Sequence, residues 1–388
     1  MASIYIHFPF CKSRCIYCDF FSTTFLDLRS SYVEALKKEL EMQRGYLGGE
    51  PVKSIYLGGG TPSQMDVGML SEVFRCVYDL FDVVSAAEVT MECNPDDLND
   101  RYLSSMRELL PVNRVSIGVQ SFDDARLSFL HRRHTASGAI EALSRCREHG
   151  YANLSVDLIY GFPGQSLEEW EADIDQAVGL DVEHLSAYAL MYEEGTALYG
   201  MLSSGLVEEL DEEVSVSMYD LLLKKMASSG YRHYEISNFC KPGFHSRHNS
   251  GYWDGTHYLG IGAGAHSYNG SAREWNEPYL DLYISGIMNG KVGYRGREEL
   301  DDRTRFNEQI MTSLRTSAGV NLTKLEHQFG IGLKDALLAK AARYIQGGQL
   351  ESGLYIPIDT LTPTSDKALR LTAKAVFTSN GIISDLFV

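Results

Sequence analysis

The sequence predicts an α/β protein built on a parallel sheet. Two observations carry this. Short β-branched runs alternate with longer amphipathic segments over about the first half of the chain, and the residues with conspicuous chemistry fall directly after those runs. Such alternation denotes βαβ units, which assemble either into an open doubly wound sheet or into a partial barrel. In both, functional groups gather in the loops beyond the strands' C-terminal ends.

In order, the strands are expected at residues 4–8, 54–57, 88–92, 114–118, 155–159 and 184–189, each a short run rich in Val, Ile, Tyr or Leu. Between them the 3.6-residue spacing of apolar side chains predicts helices at 30–44, 69–81, 99–110, 136–149 and 167–178. The last carries its own start signal, Ser166 as N-cap with Glu168 and Glu169 in the first turn. After Tyr192 the pattern changes. A helix is expected at 211–228, then an aromatic, glycine-dense and loop-rich stretch at 230–271, then a helix around 278–288. Helices at 301–315, 322–329 and 333–346 and two short strands at 350–351 and 354–358 suggest a small winged-helix-like C-terminal module.

Composition narrows the function. The 388 residues carry 35 Lys and Arg against 52 Asp and Glu, a net charge of −17. That balance opposes a surface made to neutralise nucleic-acid phosphates or coat anionic lipid, so no nucleic-acid partner is expected. Neither a secretory leader nor a membrane-spanning apolar stretch is read in the sequence. Peripheral association with a membrane stays compatible with it. Seven cysteines, an odd number with three packed into eight residues, do not form a disulfide framework, and a reducing cytoplasmic setting is expected.

The cysteine triplet is the strongest signal. Cys11-Lys-Ser-Arg-Cys15-Ile-Tyr-Cys18 follows the first strand directly. Three thiolates on one short loop can hold three irons of a [4Fe–4S] cube and leave the fourth iron open. A structural zinc site completed by His7 or a distant histidine is the alternative, although no second cysteine pair is present.

A C-x3-C-x2-C triplet with an aromatic residue before its last cysteine resembles the signature of the radical S-adenosylmethionine (SAM) superfamily. The run from Tyr5 to Phe20 is similar to the branch that contains oxygen-independent coproporphyrinogen III oxidase and the HemW-type heme chaperones. The likeness continues through Gly58-Gly59-Gly60-Thr61-Pro62, Glu92-Cys-Asn94-Pro95, Ser116-Ile-Gly118-Val-Gln120-Ser121-Phe122, Arg132 and Asp157-Leu-Ile-Tyr160-Gly161-Phe-Pro163-Gly-Gln165. It implies a partial (βα)6 TIM-like barrel over residues 1–230, a loop-rich extension over 231–295, and a small helical, winged-helix-like C-terminal domain over 300–388.

It also implies that SAM is held near the triplet. The glycines let backbone amides approach a ligand closely, with Gly59, Gly60 and Thr61 toward its methionine end. Glu92, Gln120 and Asp157 close successive predicted strands, and their carboxylates and amide suit the ammonium and ribose hydroxyls. Arg132 can fork onto the SAM carboxylate. Tyr5 and Tyr17 match positions that pack against SAM or the cluster.

Within the branch, the oxidases carry a longer arm ahead of the triplet and a further cysteine directly after it. Here ten residues precede Cys11, and Asp19-Phe20 follow Cys18. The stretch His248-Asn249-Ser250-Gly251-Tyr252-Trp253 resembles the heme-binding H-N-x-x-Y-W motif of the chaperones. His248 can serve as an axial imidazole, with Tyr252 and Trp253 as flat apolar area and Arg232 and Arg247 as propionate partners. His257 and His266 are alternative axial ligands. The resemblance thus implies a heme chaperone holding a [4Fe–4S] cluster, exchangeable SAM and heme. It implies acceptor proteins such as respiratory enzymes and an electron donor to the cluster. The alternatives are coproporphyrinogen III decarboxylation or another radical SAM reaction on heme.

Overall fold

A computed structural model describes residues 1–291 and 296–388; the predicted end of the loop-rich extension, at residue 295, lies outside the described residues. The first half of the chain is a run of strand–helix units. They are β1 (Ala2–Phe8), α1 (Arg29–Met42), β2 (Val52–Gly59), α2 (Val67–Leu80), β3 (Val83–Cys93) and α3 (Asp100–Leu109). Then come β4 (Arg114–Gln120), α4 (Asp124–Phe129), α5 (Ala136–Glu148), β5 (Leu154–Tyr160), α6 (Leu167–Gly179) and β6 (His184–Ala189).

The chain continues through α7 (Ala197–Ser203), α8 (Glu212–Ser228), β7 (Arg232–Glu235), β8 (Asn238–Cys240), α9 (Arg247–Asp254), β9 (Tyr258–Ile261), β10 (His266–Tyr268), β11 (Ala272–Trp275), α10 (Leu280–Met288) and β12 (Gly296–Glu299). Last come α11 (Asp302–Ser313), β13 (Val320–Asn321), α12 (Leu322–Phe329), α13 (Ile331–Gln346), β14 (Leu350–Leu354), β15 (Lys367–Leu371) and α14 (Ser379–Leu386).

Strands β1 to β12 form one sheet in the order β12-β11-β10-β9-β1-β2-β3-β4-β5-β6-β8-β7. From β9 to β6 the neighbours run parallel, and antiparallel strands extend both edges. The expected α/β architecture is therefore present, with a sheet wider than six strands. The parallel register Ser3↔Ser54, Tyr5↔Tyr56, His7↔Gly58 sets alternate side chains level with one another. On β1, Ile4, Ile6 and Phe8 enter the apolar core shared with Leu36 and Leu40 of α1 and Val73 of α2. The intervening Ser3, Tyr5 and His7 face the opposite, inner side, and the other strands repeat the pattern. A parallel sheet is buried on both faces; here one face is apolar and the other polar.

Three expectations change. Residues 230–271 are not mainly loop: they carry β7 to β10 and α9. These strands are at most four residues long and gain their order by extending the existing sheet edges, a pairing that leaves little periodicity to read. Of the two predicted C-terminal strands, 350–351 lies within β14, but its partner is β15 rather than 354–358, where Pro357 interrupts the chain. Helices α4, α7 and α14 were not expected. The capping box at Ser166 and Glu169 is present as read.

Helices α11 to α14 and strands β13 to β15 enclose a second apolar core that includes Phe306, Leu325 and Leu369. This unit meets the sheet edge through backbone hydrogen bonds from Ile236 N–H to the Arg315 carbonyl and from Ser317 N–H to the Tyr234 carbonyl, each 3.0 Å. A third, small core of Ile16, Leu130, Ile159, Phe162, Leu190 and Leu198 sits against the cysteine loop. Among the described residues no helix is long and apolar enough to cross a membrane.

Candidate functional site

The loop after β1 is held by three neighbours. Cys11 N–H donates to the Thr23 carbonyl, Ile16 N–H to the Leu130 carbonyl, and Leu198 N–H to the Ile16 carbonyl. Ile16 plugs the small core, so Cys15 and Cys18 are carried on an anchored turn. All seven cysteines are free thiols, and the three of the triplet are half-exposed. Burial pushes Cys18 up to about 11 and raises Cys11, and the neighbouring Cys15 thiol raises both further. A thiol set of this kind ionises when positive charge arrives, which suits iron rather than bare thiolates. The Arg132 guanidinium already stands 3.4 Å from Cys15 Sγ. His7, the candidate fourth zinc ligand, is fully engaged: Nδ1 accepts from the Tyr5 hydroxyl and Nε2 donates to the Phe21 carbonyl, both at 3.0 Å. The donor set therefore fits a three-cysteine cluster better than Cys3His.

Beside the loop lies a rim of polar groups at the strand ends. Arg132 ties it together, its Nη2 donating to Asn94 Oδ1 and to the Gly118 carbonyl, each 2.6 Å. Thr61 bridges Cys11 Sγ at 3.5 Å and Asn94 Nδ2 at 3.3 Å. Glu92 accepts from the Tyr56 hydroxyl at 2.7 Å and from Gly59 N–H at 3.1 Å. Burial, with Asp157 nearby, raises its carboxyl to about 7 despite those donors. Asp157 is raised in the same way by burial, against Ser186, Arg114, Ser116 and Arg132. Two enclosed carboxyls so placed favour a bound cation. Gln120 closes β4 with a φ of 71°, the strained left-handed region, beside a bulge in the β4–β5 register. Tyr17 packs against the small core, enclosed near Arg132, Cys15 and Asp157.

One expectation about this rim is corrected. Asp157 does not end its strand: it faces Gly118 and Ser186 in the middle of β5, because β5 continues to Tyr160. Gly59 and Gly60 also lie where protein segments approach closely. A Cβ at Gly59, whose φ is +106°, would come 2.3 Å from the His7 ring, and one at Gly60 2.7 Å from the Pro9 carbonyl carbon. Their N–H groups are taken by Glu92 and by the Phe8 carbonyl.

The opposite end of the strands is floored by α9. Its first turn is capped by Glu88 of β3, which accepts from Arg247 N–H and His248 N–H, each 3.0 Å. His248 is thereby driven into the inner face of the sheet, 2% exposed, with its ring 4.9 Å from that of Tyr56. Ser54 Oγ donates to Ser3 Oγ at 2.8 Å, so it accepts from His248 Nδ1 at 3.1 Å, and the Nε2 lone pair accepts from the Tyr252 hydroxyl at 3.0 Å. Burial, with Lys53 and Arg114, lowers this imidazole to about 3. It is neutral, but neither nitrogen faces open space in this conformation. Asn249 N–H caps onto Ser246. Tyr252 and Trp253 at the far end of α9 line a cavity of about 530 Å³ between β9, β10, α11 and α12.

The expected propionate partners are elsewhere. Arg247 is tied to the Ala86 carbonyl at 2.8 Å, and Arg232 lies on β7, the far edge strand. His266 is stacked on Trp275, 6.0 Å between ring centres, and His257 lines the cavity. Sequence reasoning missed Tyr56, Glu88 and Arg114, which share the inner face; alternate polar residues within otherwise apolar strands were the available signal.

A family model described as the radical SAM superfamily matches residues 5–177, and one described as the HemN C-terminal domain matches residues 300–352. The heme chaperone HemW of Bacillus subtilis is 36% identical over 336 residues, 86% of this chain and 88% of that protein. HemW of Mycobacterium tuberculosis is 35% identical over 83% of each. The structure of coproporphyrinogen III oxidase from Escherichia coli superposes with a TM-score of 0.82 over 100% of this chain and 90% of that one, at 20% identity, a likeness of fold. The chain belongs to the radical SAM superfamily and, within it, to the HemW family.

Proposed function

We propose that the chain is a heme chaperone of the radical SAM type, which carries heme to acceptor proteins such as respiratory enzymes. The observation that carries this reading is α9. Its H-N-x-x-Y-W residues are latched by Glu88 and present Tyr252 and Trp253 to a cavity of about 530 Å³, a size suited to a small-molecule ligand. Relatives more than 30% identical over most of their length are named heme chaperones, which supports the same assignment.

In this reading Cys11, Cys15 and Cys18 hold a [4Fe–4S] cluster, which supplies an open iron for the amine and carboxylate of SAM. Arg132 offsets the negative charge beside Cys15, while Glu92 and Asp157 attract the ligand's positive charge. Gln120, Tyr5 and Tyr17 bound its space, and Gly59, Gly60 and Thr61 hold the loop that frames it. The donor to the cluster is a one-electron reductant.

Hemin titration of the purified chain is expected to give a stoichiometric Soret band and transfer of heme to an apo-acceptor. Conversion of coproporphyrinogen III to protoporphyrinogen IX under reducing conditions with SAM, without heme uptake, would replace this function with the oxidase. Anaerobic reconstitution is expected to load about four irons per chain.

A further inference from the structure

We propose that heme docks in the cavity at the end of α9 with His257, rather than His248, as its iron ligand, and with Arg305 and Lys324 as its propionate anchors. The assignment rests on the heme-carrier reading and names the residues that reading would use.

The iron ligand is argued from the state of each imidazole. His248 has both nitrogens hydrogen-bonded, Nδ1 to Ser54 and Nε2 to Tyr252, and is enclosed by the sheet. Either nitrogen must break its hydrogen bond before it can meet a ligand. His257 stands immediately before β9 at the cavity wall, about a third exposed. Its Nδ1 is 2.7 Å from Glu50 Oε1. A carboxylate on one ring nitrogen is the usual companion of a metal-binding histidine, because it sets the tautomer and raises the basicity of the other nitrogen. Nε2 lies against Gly270, where a Cβ would come within 2.6 Å, so iron reaches this nitrogen only when the Gly270 turn shifts.

The walls suit the rest of the ligand. Tyr252, Trp253 and Tyr268 supply flat apolar surface. Tyr252 and Tyr258 pack edge to face at 4.9 Å, so the Ser54–His248–Tyr252 chain fixes one wall. In this arrangement His248 is a positioning residue.

Three cations line the cavity, and they are not equivalent. Arg273 is paired with Glu308 at 2.6 Å. Arg305 reaches Asp302 with one nitrogen at 3.0 Å while its buried Nε lacks a hydrogen-bond partner. Lys324, in the first turn of α12, has no ion-pair partner among the described residues. The two less engaged cations match two carboxylates. They belong to the C-terminal unit, whereas the iron ligand belongs to the sheet, so heme would bridge the two.

The test is hemin titration of the full-length chain, read by Soret position and by the spin state in electron paramagnetic resonance. His257→Ala is expected to change both, with external imidazole restoring the wild-type spectrum. Glu50→Gln is expected to keep the spectrum but weaken hemin binding about tenfold or more. His248→Gln is expected to keep the wild-type coordination with weaker binding. Far-UV circular dichroism of the apo variants verifies folding, and imidazole rescue separates ligand loss from misfolding. A wild-type spectrum in folded His257→Ala, or loss of the coordination signature in His248→Gln alone, overturns the assignment while the heme-carrier reading stands. If the wild-type chain takes up no hemin, the reading itself falls.

Discussion

Gly118 shows how little room the rim leaves. A Cβ there would stand 2.8 Å from Gln120 Nε2 and 3.3 Å from the Arg132 guanidinium, which joins strand end to cysteine loop. Gly118→Ala is expected to cost about 1–3 kcal/mol through overpacking, measured by urea unfolding, and to weaken SAM binding by displacing Arg132. Glu92 makes a second prediction. Its carboxyl titrates at about 7 in the folded chain against an ordinary 4.5, so between those values the folded state holds a proton that the unfolded state has released. Its contribution to stability is present below the lower value and is lost as pH rises through the upper one. Glu92→Gln is expected to flatten this dependence, seen as a smaller drop in urea midpoint between about pH 5 and about pH 8. These residues were legible as polar groups near strand ends; Gly118's role was not, since nothing local shows that two side chains from elsewhere will occupy its missing Cβ.

Among the elements, α6 and α9 contrast two ways of starting a helix. The capping box of α6 lies within four consecutive residues, Ser166 to Glu169, and was readable because both partners are local. The cap of α9 combines Ser246 with Glu88, 158 residues away in sequence. Its eight residues make too short a helix to hold alone. Glu88→Ala is expected to leave two helix-cap N–H groups unpaired, that of His248 buried, destabilise the chain by about 2 kcal/mol, and weaken hemin binding. Thermal unfolding and hemin titration measure the two effects. The same long-range dependence explains why β7 to β10 were read as loop: strands this short are ordered by the sheet edge they join.

Across the whole molecule, the cysteine loop follows the C-terminal end of β1, whereas His257 meets its beginning through the hydrogen bond from Ser3 N–H to the His257 carbonyl. The cysteine triplet and the cavity at the end of α9 therefore lie at opposite ends of the strands. The Cys11→Ala, Cys15→Ala, Cys18→Ala variant is expected to lose the reconstituted iron while its hemin affinity changes by no more than about twofold, as for well-separated sites. Iron analysis and Soret titration check both halves.

By itself the sequence determined the parallel α/β scaffold, the cysteine triplet and the family, because periodicity and short motifs are local properties of a chain. Only the tertiary structure decided which groups are open to a ligand. His248 became a buried strut and His257 a cavity residue because the free lone pairs of an imidazole depend on partners brought from distant parts of the chain, Ser54 for one and Glu50 for the other.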